Sequence, residues 1–453
     1  MAESKTSKTV KAVASAVAQK AKATVAKAVK SGSKKDKVIL AYSGGLDTTV
    51  IIPWLKENYD YDVIAVCIDV GQNDDWKTIK ARALKTGASA CYVVDAREEY
   101  CKEYVWPAVK AGCVYEDEYL LGTSTARPLI GKILVEYARQ EKAVAICHGA
   151  TGKGNDQVRF ELAMKAFAPD LKVIAAWRDP KWTLDSREAE VKYLEDRNIP
   201  VPVKKENSYS CDENIWHISH EGLELEETQN EPKWENMLKE TKLPEAASEK
   251  GEYVTIDFVA GEAVAVNGKK MSPLEIMQTL NKIAGRNGVG IVDLVENRVV
   301  GMKSRGVYET PGGTVLLYAH EQLDHLCLDR DTYHFKQHLA LRMSELIYDG
   351  KWFTQLMEGL MAFMDNVEQT VTGSVKLKLY KGSMRGAGSS SPYSLYNESI
   401  ASFATGDLYD HKDADGFITL FGLPLKVRAM MEQAAGKGQA VPSSKKLKKR
   451  PTE

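Results

Sequence analysis

The sequence predicts an α/β protein, with a doubly wound parallel sheet in the first half of the chain and a second, α+β domain after it. Between residues 38 and 176, short apolar runs typical of buried parallel strands alternate with helical segments. At residues 199–203 two prolines form a stiff connector, which we take as the domain boundary. A chain of 453 residues with 44% hydrophobic content has room for two or three domains.

The first domain is predicted to contain five strands, which end on one edge of the sheet. The strands are 38–42, 62–68, 89–95, 143–147 and 171–176, and the intervening helices include 48–56, 76–86 and 130–140. Ligands of such sheets bind outside the carboxyl ends of the strands. In the second domain we predict an exposed insertion at 224–250, strands at 252–259, 262–266 and 375–379, and helices at 273–285, 334–369 (two, broken near 349–350) and 425–435.

The two ends of the chain are basic, while the body between them is acidic. Ten lysines lie in residues 1–37, and a second lysine-rich run ends the chain. The predicted organisation is a basic low-complexity arm (1–36), two domains (37–203 and 204–435) and a basic tail (436–453). The arm is interpreted as a solvated tail, with a targeting segment or a nucleic-acid arm as alternatives.

Cysteine usage and hydropathy exclude several classes of protein. Seven cysteines are scattered without a Cys-x-x-Cys pair, which argues against a zinc or disulfide framework and favours a reduced, cytoplasmic compartment. No apolar run approaches the ~18 residues of a membrane span. We therefore expect a cytoplasmic protein without a membrane partner.

The first predicted strand ends in Ser43-Gly44-Gly45-Leu46-Asp47-Thr48, a break followed by a helix. Glycines leave backbone N–H groups bare, and a helix N-terminus attracts anions, so a polyphosphate fits this turn. An ordinary βα turn without a ligand is the alternative. The stretch resembles the phosphate loop of the N-type ATP pyrophosphatases, which cleave ATP between its α and β phosphates.

A second polar stretch follows the fourth strand, where three glycines lead to Asn155, Asp156 and Arg159. Asn155 and Arg159 are four residues apart and share one helix face. An amide and a guanidinium there suit a carboxylate or ureido group, and Asp156 suits an ammonium group. A solvated helix start is the alternative.

Together with these two stretches, residues 119–128, 209–219, 288–313, 391–397 and 416–418 resemble the argininosuccinate synthase family, in order, over about residues 37–430. The resemblance implies a ligase of arginine biosynthesis that joins L-citrulline to L-aspartate through a citrulline adenylate, while ATP becomes AMP and pyrophosphate. It also implies that the second domain carries synthetase and tetramerisation functions, in a homotetramer.

The resemblance assigns residues to three substrates. Those for ATP are Ala41, Tyr42, Ser43, Gly44, Gly45, Leu46, Asp47, Thr48, Thr49, Ile68 and Gly149. Those for citrulline are Tyr119, Ser124, Asn155, Arg159, Ser210, Ser219, Glu296 and Tyr308, and those for aspartate are Thr151, Asn155 and Asp156. Ile68 departs from the family, which often has a smaller residue there.

The chemistry needs alignment and charge neutralisation more than acid–base catalysis, so no residue is assigned as acid or base. Mg²⁺ is expected with ATP, and Asp47 either helps to hold it or caps the turn. His148 and His217 either move protons or are structural. Alternative functions are another ATP-pyrophosphatase ligase, forming an amide or thiolating tRNA, and a non-catalytic nucleic-acid-binding or scaffold protein. No specific nucleic-acid partner is expected.

Overall fold

The computed structural model describes residues 35–202, 209–401 and 410–437. Almost all of the basic arm and the basic tail therefore lies outside the described residues. The chain divides into two compact units, the first ending at Tyr393 and the second beginning at Ser394. The predicted boundary near residue 203 falls inside the first unit, and the division into 37–203 and 204–435 stays a prediction.

The predicted parallel sheet is confirmed. Its strands are β1 (Lys37–Ala41), β2 (Asp62–Asp69), β3 (Ala90–Asp95), β4 (Ala145–His148) and β5 (Lys172–Ala175). They lie in the order β3-β2-β1-β4-β5, and every neighbouring pair is parallel. The chain reverses its winding between β1 and β4, so the loops after these two strands open the crevice where ligands of such sheets bind.

Helices connect and follow the strands of the parallel sheet. They are α1 (Leu46–Tyr59), α2 (Trp76–Thr86), α3 (Arg97–Tyr100), α4 (Trp106–Ala111), α5 (Gly122–Glu141), α6 (Asp156–Phe167) and α7 (Arg187–Glu195). A π-helical turn, Cys101–Val105, joins α3 to α4. This run was not predicted, because Tyr100, Cys101, Tyr104 and Trp106 are all buried and leave a weak helical period.

Two antiparallel sheets follow in the same unit. The four-stranded sheet has the order β11-β12-β7-β6, and the five-stranded sheet has the order β10-β9-β8-β13-β14. Their strands are β6 (Ser210–Glu213), β7 (Ile218–Glu221), β8 (Glu252–Val259), β9 (Glu262–Val266), β10 (Lys269–Lys270), β11 (Ile291–Asn297), β12 (Lys303–Glu309), β13 (Gly373–Tyr380) and β14 (Ser383–Ser390). The predicted strands at 252–259 and 262–266 coincide with β8 and β9.

The helices of this region pack against the two antiparallel sheets and α4. They are α8 (Trp234–Met237), α9 (Pro273–Arg286), α10 (Pro311–Cys327), α11 (Arg330–Tyr348) and α12 (Gln355–Val367). The predicted break between two helices near 349–350 is confirmed by the end of α11. Helix α10 was not predicted, since Pro311-Gly312-Gly313 suggests a turn.

The predicted exposed insertion at 224–250 is partly wrong. It is irregular, but Leu225, Met237 and Thr241 are buried. The backbone N–H groups of residues 239–241 donate to the carboxylate of Glu309 at 2.6–2.9 Å. Because a buried carboxylate requires such donors, the segment is held against β12.

A buried cluster of four charged side chains joins α10, α11 and the turn after α12. The His320 imidazole lies 2.8 Å from Glu368, and Lys336 Nζ donates to both Asp324 and Glu368. Each of the four residues is at most 4% exposed. Burial lowers the pKa of His320, but Glu368 and Asp324 raise it by more, to about 9.

This cluster predicts a pH-dependent stability. The folded pKa of His320, about 9, lies above the unfolded value of about 6.5, so its stabilisation is complete below pH 6.5 and is lost as pH rises through 9. We expect the free energy of unfolding to fall by about 3 kcal/mol more in wild type than in His320→Gln between pH 6 and pH 9.5. Urea unfolding at both pH values measures this difference. An equal decrease in the unfolding free energy of wild type and His320→Gln between the two pH values would contradict the prediction.

The second unit contains α13 (Glu398–Ala401), α14 (Asp413–Phe421) and α15 (Leu423–Ala434). The helix predicted at 425–435 is confirmed by α15. Apolar side chains are exposed along this unit, among them Phe421 at 75% and Leu425 at 74%. Over the residues described, no helix combines the length and the apolar character needed to cross a membrane.

Candidate functional site

The loop after β1 presents a bare helix N-terminus. Gly45 is the N-cap of α1, and no side chain forms a capping hydrogen bond there. The Arg82 guanidinium donates to the Gly44 carbonyl in this turn. Ser43 Oγ and Thr48 Oγ1 lie 3.2 Å apart and close the turn. The free N–H groups and the helix dipole make this loop an anion site.

Gly44 has φ +76°, and a Cβ on it would lie 2.9 Å from Ile79 Cγ1. A Gly44→Ala variant would therefore strain the turn and move the loop off α2. We expect the KM for ATP to rise about tenfold, equivalent to roughly 1.4 kcal/mol. Gly359→Ala is the matched control, because nothing lies within 4 Å of a Cβ at that position. Steady-state kinetics with ATP varied measures both, and an unchanged KM in Gly44→Ala would contradict the prediction.

The loop opens into a cleft of about 1280 Å³. Ser43, Gly44, Gly45 and Leu46 line it, as do Arg82 and residues 72–75 at the end of β2. Tyr42, Thr49 and Ile68, also predicted for ATP, are buried and do not line the cleft. Tyr42 and Thr49 are buried with their hydroxyl groups 3.2 Å apart. The carbonyl of buried Ile68 accepts from Gln72 Nε2 at 2.9 Å.

Gly149 brings the end of β4 against the phosphate loop. A Cβ on this residue would lie 3.2 Å from both Thr48 Cγ2 and Ile51 Cδ1. Glycine therefore allows the loop after β4 to approach α1 closely. This contact places the two predicted stretches side by side, at the point where the winding of the sheet reverses.

A second, smaller cavity of about 280 Å³ lies next to the cleft, and Asp212 lines both. Nearly all residues predicted for the two amino acids line this cavity, namely Tyr119, Thr151, Asn155, Asp156, Arg159, Ser210, Ser219, Glu296 and Tyr308, and Gly149, predicted for ATP, lines it as well. Ser124 does not line it. The Ser124 hydroxyl is buried and has no hydrogen-bond partner among the described residues.

The four-stranded sheet explains why residues distant in sequence meet here. Asp212 pairs with Ser219, which pairs with Tyr308, and successive side chains of a strand point to opposite faces. Ser210 lies two residues before Asp212, and Glu221 lies two residues after Ser219, so both point to this face. Glu296 on β11 points to it as well. Gly306, also on it, leaves room for the Tyr308 ring, because a Cβ there would lie 2.7 Å from the Tyr308 hydroxyl.

A hydrogen-bond chain fixes the inner wall of the small cavity. Asn155 Nδ2 donates to the Tyr348 hydroxyl at 2.9 Å, which donates to Glu296 at 2.8 Å. Arg159 Nε donates to the Tyr348 carbonyl at 2.8 Å. Burial raises the pKa of Glu296 more than Tyr348, Arg159 and Tyr308 lower it. A cationic group in the cavity would lower the pKa of Glu296 again and so favour its charged form.

Tyr348 was missed by the sequence reasoning. It ends α11, whose pattern predicts only an amphipathic helix, and it lies more than 180 residues from its partners Asn155 and Arg159 in the sequence. Its ring also stacks on Tyr115 at 3.7 Å between centroids. Nothing in the local sequence indicates this role.

Arg127 was missed as well, although it stands in a stretch that resembles the family. From α5 it donates to Asp156 at 2.9 Å, and it also donates to Asp212. Asp156 in turn accepts from Arg159 at 3.0 Å. Burial raises the pKa of Asp156, but the two guanidinium groups lower it by more, so Asp156 is ionised. The signal available in the sequence was the resemblance of residues 119–128 to the family.

Asp47 lies in the first turn of α1 beside buried Glu190 of α7. Burial, and then the charge of Asp47, raises the pKa of Glu190 to about 8. Glu190 Oε1 has no hydrogen-bond partner within the described chain. Carboxylate oxygens are ligands that Mg²⁺ prefers, so the chemistry of this pair suits a metal, although neither side chain lines the cleft.

His148 and His217 are neutral at pH 7. Burial, and then nearby Arg178 and Arg127, lowers their pKa values to about 4 and about 3. His148 Nδ1 accepts from Ala150 N at 3.3 Å, and His217 Nε2 lies 3.0 Å from Thr123 Oγ1. These contacts favour the structural alternative for both histidines.

Two family models match the chain on either side of the connector. One, described as the arginosuccinate synthase N-terminal HUP domain, matches residues 37–200. The other, described as the arginosuccinate synthase C-terminal domain, matches residues 209–428. With the phosphate loop and the adjoining polar cavity, they define an ATP-using ligase built on a HUP domain.

Curated relatives extend over nearly the whole enzyme. The argininosuccinate synthase of Brachyspira hyodysenteriae is 60% identical over 403 residues, covering 89% of this chain and 99% of that protein. That of Agathobacter rectalis is 60% identical over 396 residues, covering 87% and 97%. The chain belongs to the argininosuccinate synthase family. A solved NH3-dependent NAD synthetase from Campylobacter jejuni, 13% identical with a TM-score of 0.25 over 37% of this chain and 66% of that one, is too distant to bear on the fold.

This membership confirms the function predicted from the sequence. The chain is a C–N bond-forming ligase of arginine biosynthesis whose substrates are citrulline, aspartate and ATP. The alternative functions considered from the sequence, another ATP-pyrophosphatase ligase and a non-catalytic scaffold, are set aside by the same matches.

Proposed function

We propose that the ligation takes place across the two adjoining cavities, with ATP in the large cleft and the two amino acids in the small one. The observation that carries this proposal is Asp212, which borders both cavities and is held by Arg127. The α-phosphorus of ATP can then meet the ureido oxygen of citrulline near this residue. We propose that each substrate is bound by the residues that the sequence predicted for it.

The proposed reaction has two displacement steps. The citrulline ureido oxygen attacks the α-phosphorus of ATP, the α–β phosphoanhydride bond breaks, and pyrophosphate leaves. The neutral amine of aspartate then attacks the ureido carbon, AMP leaves, and the amine loses a proton. Bare N–H groups of the phosphate loop and Arg82 would neutralise the departing pyrophosphate, while alignment by the cavity walls supplies the remaining rate enhancement.

The walls of the small cavity suit both amino acids. Glu296, whose buried carboxylate forms no ion pair among the described residues, would hold the α-ammonium of citrulline, and Arg159 its carboxylate. Thr151, Asn155 and Asp156 would hold aspartate. Mg²⁺, held by Asp47 with the phosphates of ATP, would supply charge neutralisation when bound.

The test is a coupled assay of AMP and pyrophosphate release on the purified full chain with ATP and Mg²⁺. We expect release only when citrulline is present, and sustained turnover only when aspartate is also present. Release that is independent of citrulline would overturn the assignment of the small cavity. The Glu296→Gln variant is expected to raise the KM for citrulline without a comparable effect on ATP.

We further propose a cytoplasmic homotetramer in which residues 204–435 provide the subunit contacts. The exposed apolar side chains of α14 and α15 support association, because such surfaces are costly to leave in water. Light scattering measures the mass, and a monomer at micromolar concentration would refute the proposal. The basic arm and tail carry no assigned role, and deletion of residues 1–36 is expected to leave ligation intact.

A further inference from the structure

The face of the four-stranded sheet opposite the small cavity carries a cysteine, a histidine and a glutamate in a line. Cys211 Sγ lies 3.4 Å from His220 Nδ1, its cross-strand partner. His220 Nε2 lies 2.8 Å from Glu309 Oε1 on the neighbouring strand. The ligation chemistry uses none of these three side chains.

The burial of the three groups is graded from the cleft inwards. Cys211 is exposed and lines the large cleft, whereas His220 and Glu309 are both 0% exposed. Glu309 accepts the three backbone N–H groups of residues 239–241 besides the imidazole. A carboxylate held by four donors stays ionised and fixes the ring, so Nδ1 faces the sulfur as an acceptor.

The electrostatics around Cys211 favour the transfer of its proton to the imidazole. Burial lowers the pKa of His220, but the contacts with Cys211 and Glu309 raise it by more, above its ordinary value. Among the described residues, charged or titratable groups that also interact with the sulfur include Lys239, whose ammonium lies 3.2 Å from Glu213, and Tyr209, which donates to Glu224. A thiolate paired with an imidazolium is nucleophilic at a pH where ordinary thiols are protonated.

We propose that the Cys211 thiol is activated by His220, whose ring is oriented by Glu309. The thiol forms mixed disulfides with low-molecular-weight disulfides, and the attached group then blocks the nucleotide cleft. The thiol proton passes to His220 Nδ1, and the sulfur attacks one sulfur of the reagent. The S–S bond of the reagent breaks, a new S–S bond joins it to Cys211, and the electron pair leaves with the departing thiolate. The reagent itself is the oxidant, so no further reactant is required.

The position of Cys211 means that its modification would affect ligation. Cys211 follows Ser210 and precedes Asp212, the residue shared by the two cavities. A group attached to the sulfur would project into the cleft that the phosphate loop also lines. This consequence for ligation rests on the proposed site of ATP, whereas the reactivity of the thiol does not.

The test follows the reaction of the full chain with 5,5′-dithiobis(2-nitrobenzoate) by release of the coloured thiolate. The six other cysteines are buried, so one fast phase is expected in wild type and in Cys327→Ala, and none in Cys211→Ser. Between pH 8 and pH 6 the fast rate should fall less than threefold, whereas an ordinary thiol with a pKa of about 8.5 would slow by about 80-fold. His220→Gln should restore the steep dependence. A steep wild-type profile, or a fast phase that persists in Cys211→Ser, would overturn the proposal even if His220→Gln does not fold.

A second readout separates this inference from the proposed function. Labelled wild type should lose ligation, thiol reductant should restore it, and Cys211→Ser should keep its own untreated activity after the same treatment. Full activity of the labelled enzyme would overturn the closure of the cleft. Labelling that keeps its flat pH profile but is not slowed by ATP would instead contradict the placement of ATP, leaving the activated thiol intact.

Discussion

An Arg127→Leu variant is expected to lose about 10³-fold in kcat/KM for aspartate while remaining folded. The substitution leaves Asp156 and Asp212 as neighbouring carboxylates without their shared guanidinium. Removing one partner of a buried, hydrogen-bonded charge pair costs about 2–5 kcal/mol, and every 1.4 kcal/mol is tenfold. The loss should be largest for aspartate, because Asp156 is the proposed partner of its ammonium group.

Arg139→Leu is the matched control, since Arg139 lies on the same helix and pairs with Asp170 at the surface, where both side chains are about half exposed or more. Surface ion pairs contribute little, so this variant should keep wild-type kinetics. Arg127→Lys should recover only part of the loss, because an ammonium cannot bridge two carboxylates as a planar fork does. Steady-state kinetics with aspartate varied tests all three. A loss below tenfold in Arg127→Leu would contradict the assigned role.

A Lys336→Met variant is expected to lose about 3–5 kcal/mol of unfolding free energy. Lys336 is the cation between Asp324 and Glu368, all three at most 4% exposed. Its removal leaves two buried carboxylates that share only the imidazolium of His320. The cost comes from the desolvated charge that remains rather than from the volume of the side chain, which methionine nearly replaces.

The control for Lys336→Met is Arg342→Met on the same helix, whose ion pair with Glu345 is exposed. That variant should change the unfolding free energy by less than about 0.5 kcal/mol. Urea unfolding followed by circular dichroism measures both variants. Equal destabilisation of the two would show that the buried cluster contributes nothing specific.

Local sequence was sufficient for the phosphate loop and for the parallel sheet. Apolar strands, a glycine break at Gly44 and a helix after it are all adjacent in the chain, so their geometry follows from backbone preferences. The shared face of Asn155 and Arg159 followed from helical spacing. The strand that carries Glu296 could not be predicted from its sequence. Glu296 points inward while Val295 is 42% exposed, and this inverts the expected alternation of buried apolar and exposed polar residues.

Contacts over long sequence separations account for the remaining gaps. Tyr348 reaches Asn155 only after α11 has packed against α4 and α5. Helix α10 was overlooked because Gly312 and Gly313 indicate a turn, whereas here they permit close packing. A Cβ on Gly312 would lie 2.5 Å from Asn281 Oδ1, and one on Gly313 would lie 2.8 Å from Trp216. In a sequence, a glycine that permits close packing cannot be distinguished from a glycine that forms a turn, because the residue packed against it is not known.

The alternation along β6 gives this short strand two separate roles. Ser210 and Asp212 serve the amino-acid cavity, whereas Cys211 faces the opposite side with His220. Insertion of a single residue in the turn between Glu213 and Ile218 that shifted the pairing by one would exchange the two faces at once. A sulfur would then stand among the substrates, and the carboxylate that joins the two cavities would face Glu309. The strand therefore functions in only one register. Evolution could change either face by substituting residues, but not by inserting or deleting them.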